Sequence, residues 1–170
     1  HIDFDNFPHV DLVGNVSNLS FINDNSVDLI YACHVLEYFD IFELKKVLKE
    51  WYRILKKGSV LRVSVPDFDK VIEIYKKYEN MELLYGFLYG RYPNSGDQNK
   101  TIYHKMIYTH KTLKENLITA GFKSMKTYEW EKTIHKNYDD YSQAYIPHMQ
   151  KETGKLILFL ETKFLHNLYL

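Results

Sequence analysis

The sequence predicts a three-layer α/β sandwich whose sheet is mostly parallel and finishes in an antiparallel strand pair near the C-terminus. Short apolar runs alternate with longer segments that have helical spacing, a pattern typical of strands joined by crossover helices. Near the end of the chain, "FKSMKTYEW" (122–130) and "KLILFLETKF" (155–164) have no helix-length pattern between them, so we expect them to pair antiparallel.

Composition limits the classes of function. The 170 residues suffice for a single domain over residues 1–170, and Lys+Arg and Asp+Glu each number 22, so no net charge attracts nucleic acid or an anionic membrane. The lone Cys33 excludes an internal disulfide framework, and no apolar run reaches the length of a membrane span. We therefore expect a soluble, cytoplasmic domain without nucleic-acid or membrane partners. Whether its copies form a homo-oligomer is left open.

Three short strands are predicted in the first part of the chain. "HIDF" (1–4) is typical of a strand end, and "VDLVGN" (10–15) is a second strand stopped by Gly14. "SVDLIYACHV" (26–35) contains a third strand, because its centre is a short apolar run.

The first clear helix follows the third strand. Asp40 is placed to cap its start, with Glu43 three residues on as in a capping box. Gly58 is expected to stop the helix in a left-handed turn. The apolar residues recur at i, i+3, i+4, i+7, i+10 and i+11 and form one stripe: Leu44, Val47, Leu48, Trp51, Ile54 and Leu55.

A further strand and two helices complete the pattern. "SVLRVSV" (59–65) predicts a strand that ends at its carboxyl edge at Pro66, because proline cannot extend a hydrogen-bonded ladder. Asp67 is the predicted cap of the next helix. Another helix is predicted from about Thr109 to Ala120, ending at Gly121.

The order of these segments resembles a known family. "VDLVGNVSNLSF", "NSVDLIYACHVLEYF" and "EWYRILKKGSVLRVSVPD" are similar to the seven-stranded, Rossmann-like class I S-adenosylmethionine-dependent methyltransferases, and most of all to the small type 11-like group met in bacterial surface-glycan gene sets. "LKKGSVLRVSVPD" matches the family's turn and fifth strand, with Lys57 and Ser59 in place of proline and glycine. The resemblance covers nearly the whole chain. It implies methyl transfer from S-adenosylmethionine to a small acceptor, such as a sugar or glycan precursor.

The resemblance also implies where the cofactor lies, across the carboxyl ends of the strands. It assigns the ribose hydroxyls to Asp3, with Asp5 close behind; the alternative is an aspartate that only caps a loop. Asn15 and Val16 stand where the family usually has an acidic residue near the adenine. Asn15 offers a carbonyl acceptor without charge, or serves only as a turn residue.

Cys33 and His34 follow the third strand, where the resemblance places the methionine end of the cofactor. His34 is a candidate catalytic base or a histidine hydrogen-bonded within a loop. It does not form a nucleophile pair with Cys33, because neighbouring side chains on an extended chain point to opposite faces. Relatives commonly have "HVLEHF" where this chain has "HVLEYF", so Tyr38 replaces a histidine that could face the acceptor. We expect His34, Tyr38, His104 and His135 to converge in one catalytic cleft.

Aromatic residues of the second half predict a pocket for the acceptor. Polar-tipped aromatic side chains suit stacking on a sugar or a planar molecule, although packing between the sheet and its last hairpin is the alternative. No two histidines stand at i, i+4 and there is no cysteine pair, so we expect no metal site. The candidate substrate-binding residues are Tyr103, Tyr141, Gln143, Tyr145 and His148.

The family's first strand and its glycine-rich loop have no counterpart in these residues. In the family that strand lies between the strands represented here by "HIDF" and "VDLIYA", and without it they would stand roughly 10 Å apart. Three explanations stay open: the chain is N-terminally incomplete, another segment fills the place, or "HIDF" pairs directly with its neighbour. We expect the 170-residue chain alone to bind the cofactor more than about a hundredfold more weakly than a version extended by native upstream residues.

Three functions are compatible with these observations. The first is a methyltransferase, the second a non-catalytic binding module that has lost its cofactor loop, and the third an NAD-dependent oxidoreductase. The third is included because an acidic residue after the second strand also suits the ribose of a nicotinamide cofactor. The terminal strand pair and the "LKKGSVLRVSVPD" turn favour methyl transfer over hydride transfer.

Overall fold

The computed structural model describes residues 1–90, 92–93, 101–137 and 157–163. The strands in this part of the chain are β1 (Ile2–Asp3), β2 (Leu12–Val13), β3 (Val27–Cys33), β4 (Leu55–Pro66), β5 (Tyr92–Pro93), β6 (Thr101–Ile102), β7 (Lys123–Thr127) and β8 (Ile157–Lys163). The α-helices are α1 (Ile41–Ile54), α2 (Phe68–Tyr78), α3 (Tyr85–Tyr89) and α4 (His110–Thr119). Single 3-10 turns lie at Leu36–Tyr38, Glu82–Leu84 and Trp130–Lys132. Among the described residues, no helix has the length and apolar content needed to cross a membrane.

Four strands form the main sheet, in the order β3-β4-β8-β7. β3 runs parallel to β4, with Ala32 opposite Val63, whereas β8 runs antiparallel to both β4 and β7. The predicted adjacency of "VDLIYA" and "LRVSV" is therefore confirmed, as is the antiparallel pair near the C-terminus. Chain order and spatial order differ here, because β8 inserts between β4 and β7.

β1 and β2 form a separate two-stranded parallel sheet, with Ile2 opposite Leu12. The suggestion that "HIDF" pairs directly with "VDLIYA" is wrong, since β1 and β3 belong to different sheets. Among the described strands, only β4 is hydrogen-bonded to β3. The small sheet joins the rest of the molecule by packing, because Ile2 and Val16 lie against the same hydrophobic cluster as Ala32.

The hydrophobic core lies on the face of the main sheet that packs against α1 and α4. Val47 of α1 and Leu113 of α4 are both fully buried, and removing such apolar surface from water is the dominant favourable contribution to folding. The predicted stripe on α1 is confirmed, because its members are all buried: Leu44, Val47, Leu48, Trp51, Ile54 and, at the start of β4, Leu55.

The predicted start of α1 is confirmed and its predicted end is wrong. Asp40 Oδ1 accepts hydrogen bonds of 2.8 Å from the backbone N–H groups of Phe42 and Glu43, and Glu43 Oε2 accepts one from Asp40 N, which completes a capping box. The helix ends at Ile54, before any glycine, because Leu55 is already extended and paired with β3. Gly58 lies inside β4 with φ +81°, at the register shift between β3 and β4.

A long segment of the chain leaves the sheet at the carboxyl end of β4, and its last residue lies beside that same strand end. The described residues of this cap segment, 67–90, 92–93 and 101–108, contain α2, α3 and the β5–β6 pair. Asp67 caps α2 by accepting from Asp69 N at 3.1 Å, as predicted. Phe68 N donates to Tyr108 O at 2.9 Å, so the two ends of the cap segment are joined beside the end of β4.

Candidate active site

His34 stands where the chain turns away from the carboxyl end of β3. Its backbone N–H donates to Ser64 O at 3.0 Å and so extends the ladder with β4 by one step. Its φ is +54°, in the left-handed region that non-glycine residues seldom adopt. Such backbone conformations cluster at functional sites, where the surrounding structure holds them in place.

Glu37 is the acidic partner of His34. Its Oε1 lies 2.8 Å from His34 Nδ1, and the exposed fraction of the side chain is 1% for Glu37 against 18% for His34. A buried carboxylate needs a close donor, because an uncompensated charge in the interior is very costly. The histidine supplies that donor and remains the more exposed member of the pair.

His104 reaches the same carboxylate from the cap segment. Its Nδ1 is 2.9 Å from Phe87 O, and a carbonyl only accepts, so Nδ1 carries a proton. Its Nε2 faces Glu37 Oε1 at 4.0 Å, and its ring meets the Tyr38 ring edge-on at 5.0 Å. Burial lowers the pKa of His104, with the Glu37 charge acting in the opposite direction, so this histidine is mainly neutral at pH 7.

Backbone hydrogen bonds lock the cap segment onto the turn that carries Glu37. Glu37 O accepts from Lys105 N at 2.7 Å and from Met106 N at 3.1 Å. Tyr108, which is fully buried, donates its hydroxyl to Leu36 O at 3.1 Å. Burial and the nearby Glu37 charge raise the pKa of Tyr108, so its hydroxyl stays protonated and remains a donor.

The His104 ring also depends on the absence of a side chain at Gly90. A Cβ added to Gly90 would stand 2.0 Å from His104 Nε2, and Gly90 has φ +50°, at the end of α3. His104 N donates to Tyr89 O at 2.9 Å, which fixes the backbone beside this contact. The ring is thus held between α3 and the turn that carries Glu37.

The residues predicted to hold the ribose end of a nucleoside cofactor lie at the carboxyl end of β1. Asp3 Oδ1 accepts from Asp5 N at 3.0 Å, while its Oδ2 has no partner among the described residues. Asp3 O accepts from Gly14 N at 2.8 Å and so connects the ends of β1 and β2. A half-buried carboxylate with an oxygen to spare fits the two hydroxyls of a ribose.

The residues predicted to meet the adenine follow β2. Asn15 is exposed, and its Oδ1 accepts from Ser17 N at 2.8 Å, so the side chain serves the turn and retains a second lone pair on that oxygen. Val16 is anchored from behind, since its carbonyl accepts from Trp51 Nε1 at 3.2 Å. Cys33, the last residue of β3, is half-buried. These positions fit an adenosine that lies across the ends of the parallel strands.

The structure brings three of the four predicted catalytic residues together. His34, Tyr38 and His104 all belong to the group around Glu37. His135 is buried against β3 instead, where its ring stacks on the ring of Tyr31 with centroids 3.7 Å apart. Of the predicted substrate-binding residues, Tyr103 is 50% exposed. The others lie outside the described residues: Tyr141, Gln143, Tyr145 and His148.

Sequence reasoning missed Glu37, which stands inside the segment "HVLEYF". The available signal was its position three residues after His34, which places both side chains on one side of a single tight turn. Within the described part of the chain, no group of three or more His, Cys, Asp or Glu residues could hold a metal ion. The group around Glu37 offers a carboxylate and two imidazoles.

The chain is similar to one protein-family model and to solved structures of other proteins. Residues 4–63 match the model of a methyltransferase domain. A SAM-dependent methyltransferase from Archaeoglobus fulgidus has a similar structure, with a TM-score of 0.55 at 16% identity, over 95% of this chain and 74% of that one. None of the curated proteins compared with the chain matches it.

Two further solved structures share the fold. One is a SAM-dependent methyltransferase, a possible histamine N-methyltransferase, from Thermotoga maritima, with a TM-score of 0.51 at 18% identity over 91% of this chain. The other is the 1,6-didemethyltoxoflavin-N1-methyltransferase of Burkholderia thailandensis with bound 1,6-didemethyltoxoflavin and S-adenosylhomocysteine, with a TM-score of 0.55 at 13% identity over 97% of this chain. The chain spans 64% of the length of the first and 60% of the second.

Proposed function

We propose that the chain is an S-adenosylmethionine-dependent methyltransferase that transfers a methyl group to a hydroxyl of a small acceptor, such as a sugar or glycan precursor. The match of residues 4–63 to the model of a methyltransferase domain and the similarity of the fold to SAM-dependent methyltransferases support this proposal. The observation that carries this proposal is the position of His34. This histidine turns out of the carboxyl end of β3, beside the sheet edge where α/β proteins bind their cofactors.

The cofactor proposed for the site is S-adenosylmethionine, which supplies an electrophilic methyl group when bound. Asp3 would hold its ribose, Asn15 and Val16 would border the adenine, and Cys33 and His34 would border the methionine end. The protein then has to hold acceptor and methyl donor in line and keep water out. The Burkholderia structure contains S-adenosylhomocysteine, the demethylated form of that cofactor.

A hydroxyl acceptor suits the residues at the end of β3. A carboxylate or a thiolate already carries the electron pair it needs, whereas a hydroxyl has to lose its proton as the new bond forms. His34 provides an imidazole for that proton. The ring of Tyr38, which meets the His104 ring edge-on, suits stacking against a sugar. Two of the structurally similar proteins have names that refer to small molecules, and both of those names specify methylation of nitrogen.

The test is an acceptor panel assayed for S-adenosylhomocysteine formation. It contains nucleotide sugars, free sugars, a catechol, histamine and a fatty acid, each mixed with S-adenosylmethionine and the protein. We expect turnover with hydroxylated acceptors, and a fall of about a hundredfold or more for His34→Ala, the usual effect of removing a general base. Turnover confined to histamine or the fatty acid would overturn the proposal, and so would equal activity of His34→Ala.

A non-catalytic binding module is the second candidate function. The observation in its favour is the division into two sheets, because no ladder among the described strands fixes Asp3 of β1 relative to His34 of β3. A module of this kind would bind S-adenosylmethionine or its product without turnover in the panel, and its affinity would not change in His34→Ala. The oxidoreductase alternative has no comparable support, since the matched family transfers methyl groups.

A further inference from the structure

We propose that Arg53 and Glu50 of α1 are positioning residues for the cofactor, because together they hold the loop that carries the adenine side of its site. This inference rests on the proposed function, which puts the adenine beside Asn15 and Val16. Arg53 and Glu50 act on the cofactor through the loop between β2 and β3, residues 14–26, the adenine loop.

The guanidinium group of Arg53 holds the adenine loop at three points. Its Nη1 donates to Ile22 O at 2.9 Å and also to the carboxylate of Asp24, and its Nη2 donates to Leu19 O at 2.8 Å. A guanidinium presents its donors in a rigid planar fork, so these bonds fix both the distance and the angle between α1 and the loop. The Arg53 backbone adds a fourth contact, since its carbonyl accepts from Asn25 N at 3.0 Å.

Glu50 bonds both the guanidinium and the loop. Its Oε1 accepts from Arg53 Nε at 3.1 Å, and its Oε2 accepts from Arg53 Nη2 and from Leu19 N, each at 3.0 Å. Leu19 is therefore bonded at its N–H by Glu50 and at its carbonyl by Arg53, and its side chain is buried in the main hydrophobic cluster. The hydrogen bonds from Arg53 lower the pKa of Glu50, so its carboxylate is charged at pH 7.

The held part of the loop adjoins the residues proposed to border the adenine. Asn15 O accepts from Asn18 N at 2.9 Å, so a closed turn leads directly into Leu19. Trp51 of the same helix donates to Val16 O at 3.2 Å. The side chain of Asn15 is exposed, so a ligand can reach it while α1 holds the loop by its backbone.

The adenine loop also connects the two sheets. It leaves the small sheet at the end of β2 and enters the main sheet at β3, and no ladder among the described strands joins the two sheets. Because α1 packs on the main sheet, its bonds to the loop set where the residues after β2 lie relative to β3. A site whose parts are already in place loses less conformational freedom when its ligand binds, and its affinity is higher for that reason.

The experiment compares the wild-type protein with Arg53→Lys and with Arg62→Lys as the matched control. Lysine keeps the positive charge but cannot reproduce the guanidinium fork. Arg62 is exposed to a similar extent, 20% against 26%, and its ion pair with Glu161 joins β4 to β8, so Arg62→Lys shows what a lost structural ion pair alone does to affinity. Glu50→Gln is a second variant of nearly unchanged volume. S-adenosylhomocysteine affinity is measured by NMR titration of ¹⁵N-labelled protein, and hydrogen exchange is measured at Leu19 N–H.

We expect Arg53→Lys to weaken S-adenosylhomocysteine binding by about tenfold or more, Glu50→Gln to weaken it in the same direction, and Arg62→Lys to change it by less than about twofold. In the ligand-free Arg53→Lys protein, the amide shifts of Asn15 and Val16 should move and Leu19 N–H should exchange faster.

An unchanged affinity in folded Arg53→Lys or Glu50→Gln protein would overturn the proposal. Fast exchange of Leu19 N–H in the wild-type protein would overturn it without any variant, because the loop would then not be held. Failure of the wild-type protein to bind S-adenosylhomocysteine would instead remove the proposed function, and the inference with it.

Discussion

Gly90 stands where any side chain would displace the buried ring of His104. In Gly90→Ala the added carbon would lie 2.0 Å from His104 Nε2, and the residue would have to keep φ +50°. We predict a loss of roughly 1–3 kcal/mol in the free energy of unfolding, the usual effect of overpacking, together with a shifted His104 NMR signal. Urea denaturation and ¹⁵N-histidine spectra measure the two effects.

Gly86 provides the matched control for this substitution. It lies in α3, four residues earlier, and a Cβ added there meets nothing within 4 Å. Because alanine favours a helix over glycine, Gly86→Ala should be neutral or stabilising by up to about 1 kcal/mol. Equal destabilisation by the two substitutions would show that α3 does not tolerate alanine at either position. The contact with the His104 ring would then not be the reason why Gly90→Ala is destabilising.

The lowered pKa of His104 also leads to a prediction of how stability depends on pH. Burial, partly opposed by Glu37, lowers the pKa of folded His104 below its ordinary value of 6.5. Below about pH 6.5 the unfolded chain therefore binds more protons at this residue, and stability falls as the pH drops towards the folded pKa. The carboxyl of Asp67, whose pKa burial raises, acts in the opposite direction, so a variant is needed to isolate the histidine.

The comparison uses His104→Gln, which has no charge at either pH and retains a donor for Phe87 O. Urea denaturation at about pH 7.5 and pH 5.5 brackets the ordinary histidine pKa. We expect the wild-type protein to lose more stability than His104→Gln between the two conditions. The same loss in both proteins would mean that His104 titrates in the folded state as it does in the unfolded one.

The individual site residues were only partly predictable. His34 stands out because a polar residue directly after a predicted strand falls at the carboxyl edge of the sheet, and Tyr38 stands out because it replaces a histidine that is common in the family that the sequence resembles. Glu37 does not, since its role depends on a 3-10 turn and on His104, which is far away in the chain. The contact of His135 with Tyr31 is likewise a tertiary contact that spacing along the chain does not predict.

At the scale of elements, the capping box of α1 makes a measurable contribution. Asp40 accepts from two backbone N–H groups at the start of the helix, and Asp40→Ala leaves both without that partner. We expect a loss of about 1 kcal/mol in the free energy of unfolding, measured in urea. Asp28→Ala, which removes only an exposed ion pair with Lys56, should change stability by less than about 0.5 kcal/mol. A larger effect at Asp28 would contradict this assignment.

Local sequence signals predict the longer elements well. α1, α2 and α4 have caps and apolar faces that do not depend on the rest of the chain, so the sequence predicts the start of each helix and, for α4, also the end. α3 was not predicted, because its five residues contain a glycine and no polar cap, and its contacts come from the cap segment. The end of α1 was misplaced because pairing of Leu55 with β3 begins before the glycine signal at residue 58.

At the scale of the whole molecule, the order β3-β4-β8-β7 is what identifies the fold. The alternation of strands and helices predicts the parallel part, and the absence of a helix before the last strand predicts the antiparallel part. The separation of β1–β2 from the main sheet was not predictable. Strand pairing depends on long-range contacts, and the sequence alone was compatible with three arrangements.

We propose that the carboxyl ends of β1, β2 and β3 hold the nucleoside of the cofactor. Titration of ¹⁵N-labelled protein with S-adenosylhomocysteine is the decisive measurement, since NMR detects even millimolar binding. We expect the largest shift changes at Asp3, Asn15 and His34. We expect none at Asn25, which precedes β3, or at Gly58, which lies early in β4. Shift changes centred on Asn25 and Gly58, or no change at millimolar ligand, would mean that these strand ends do not hold the nucleoside.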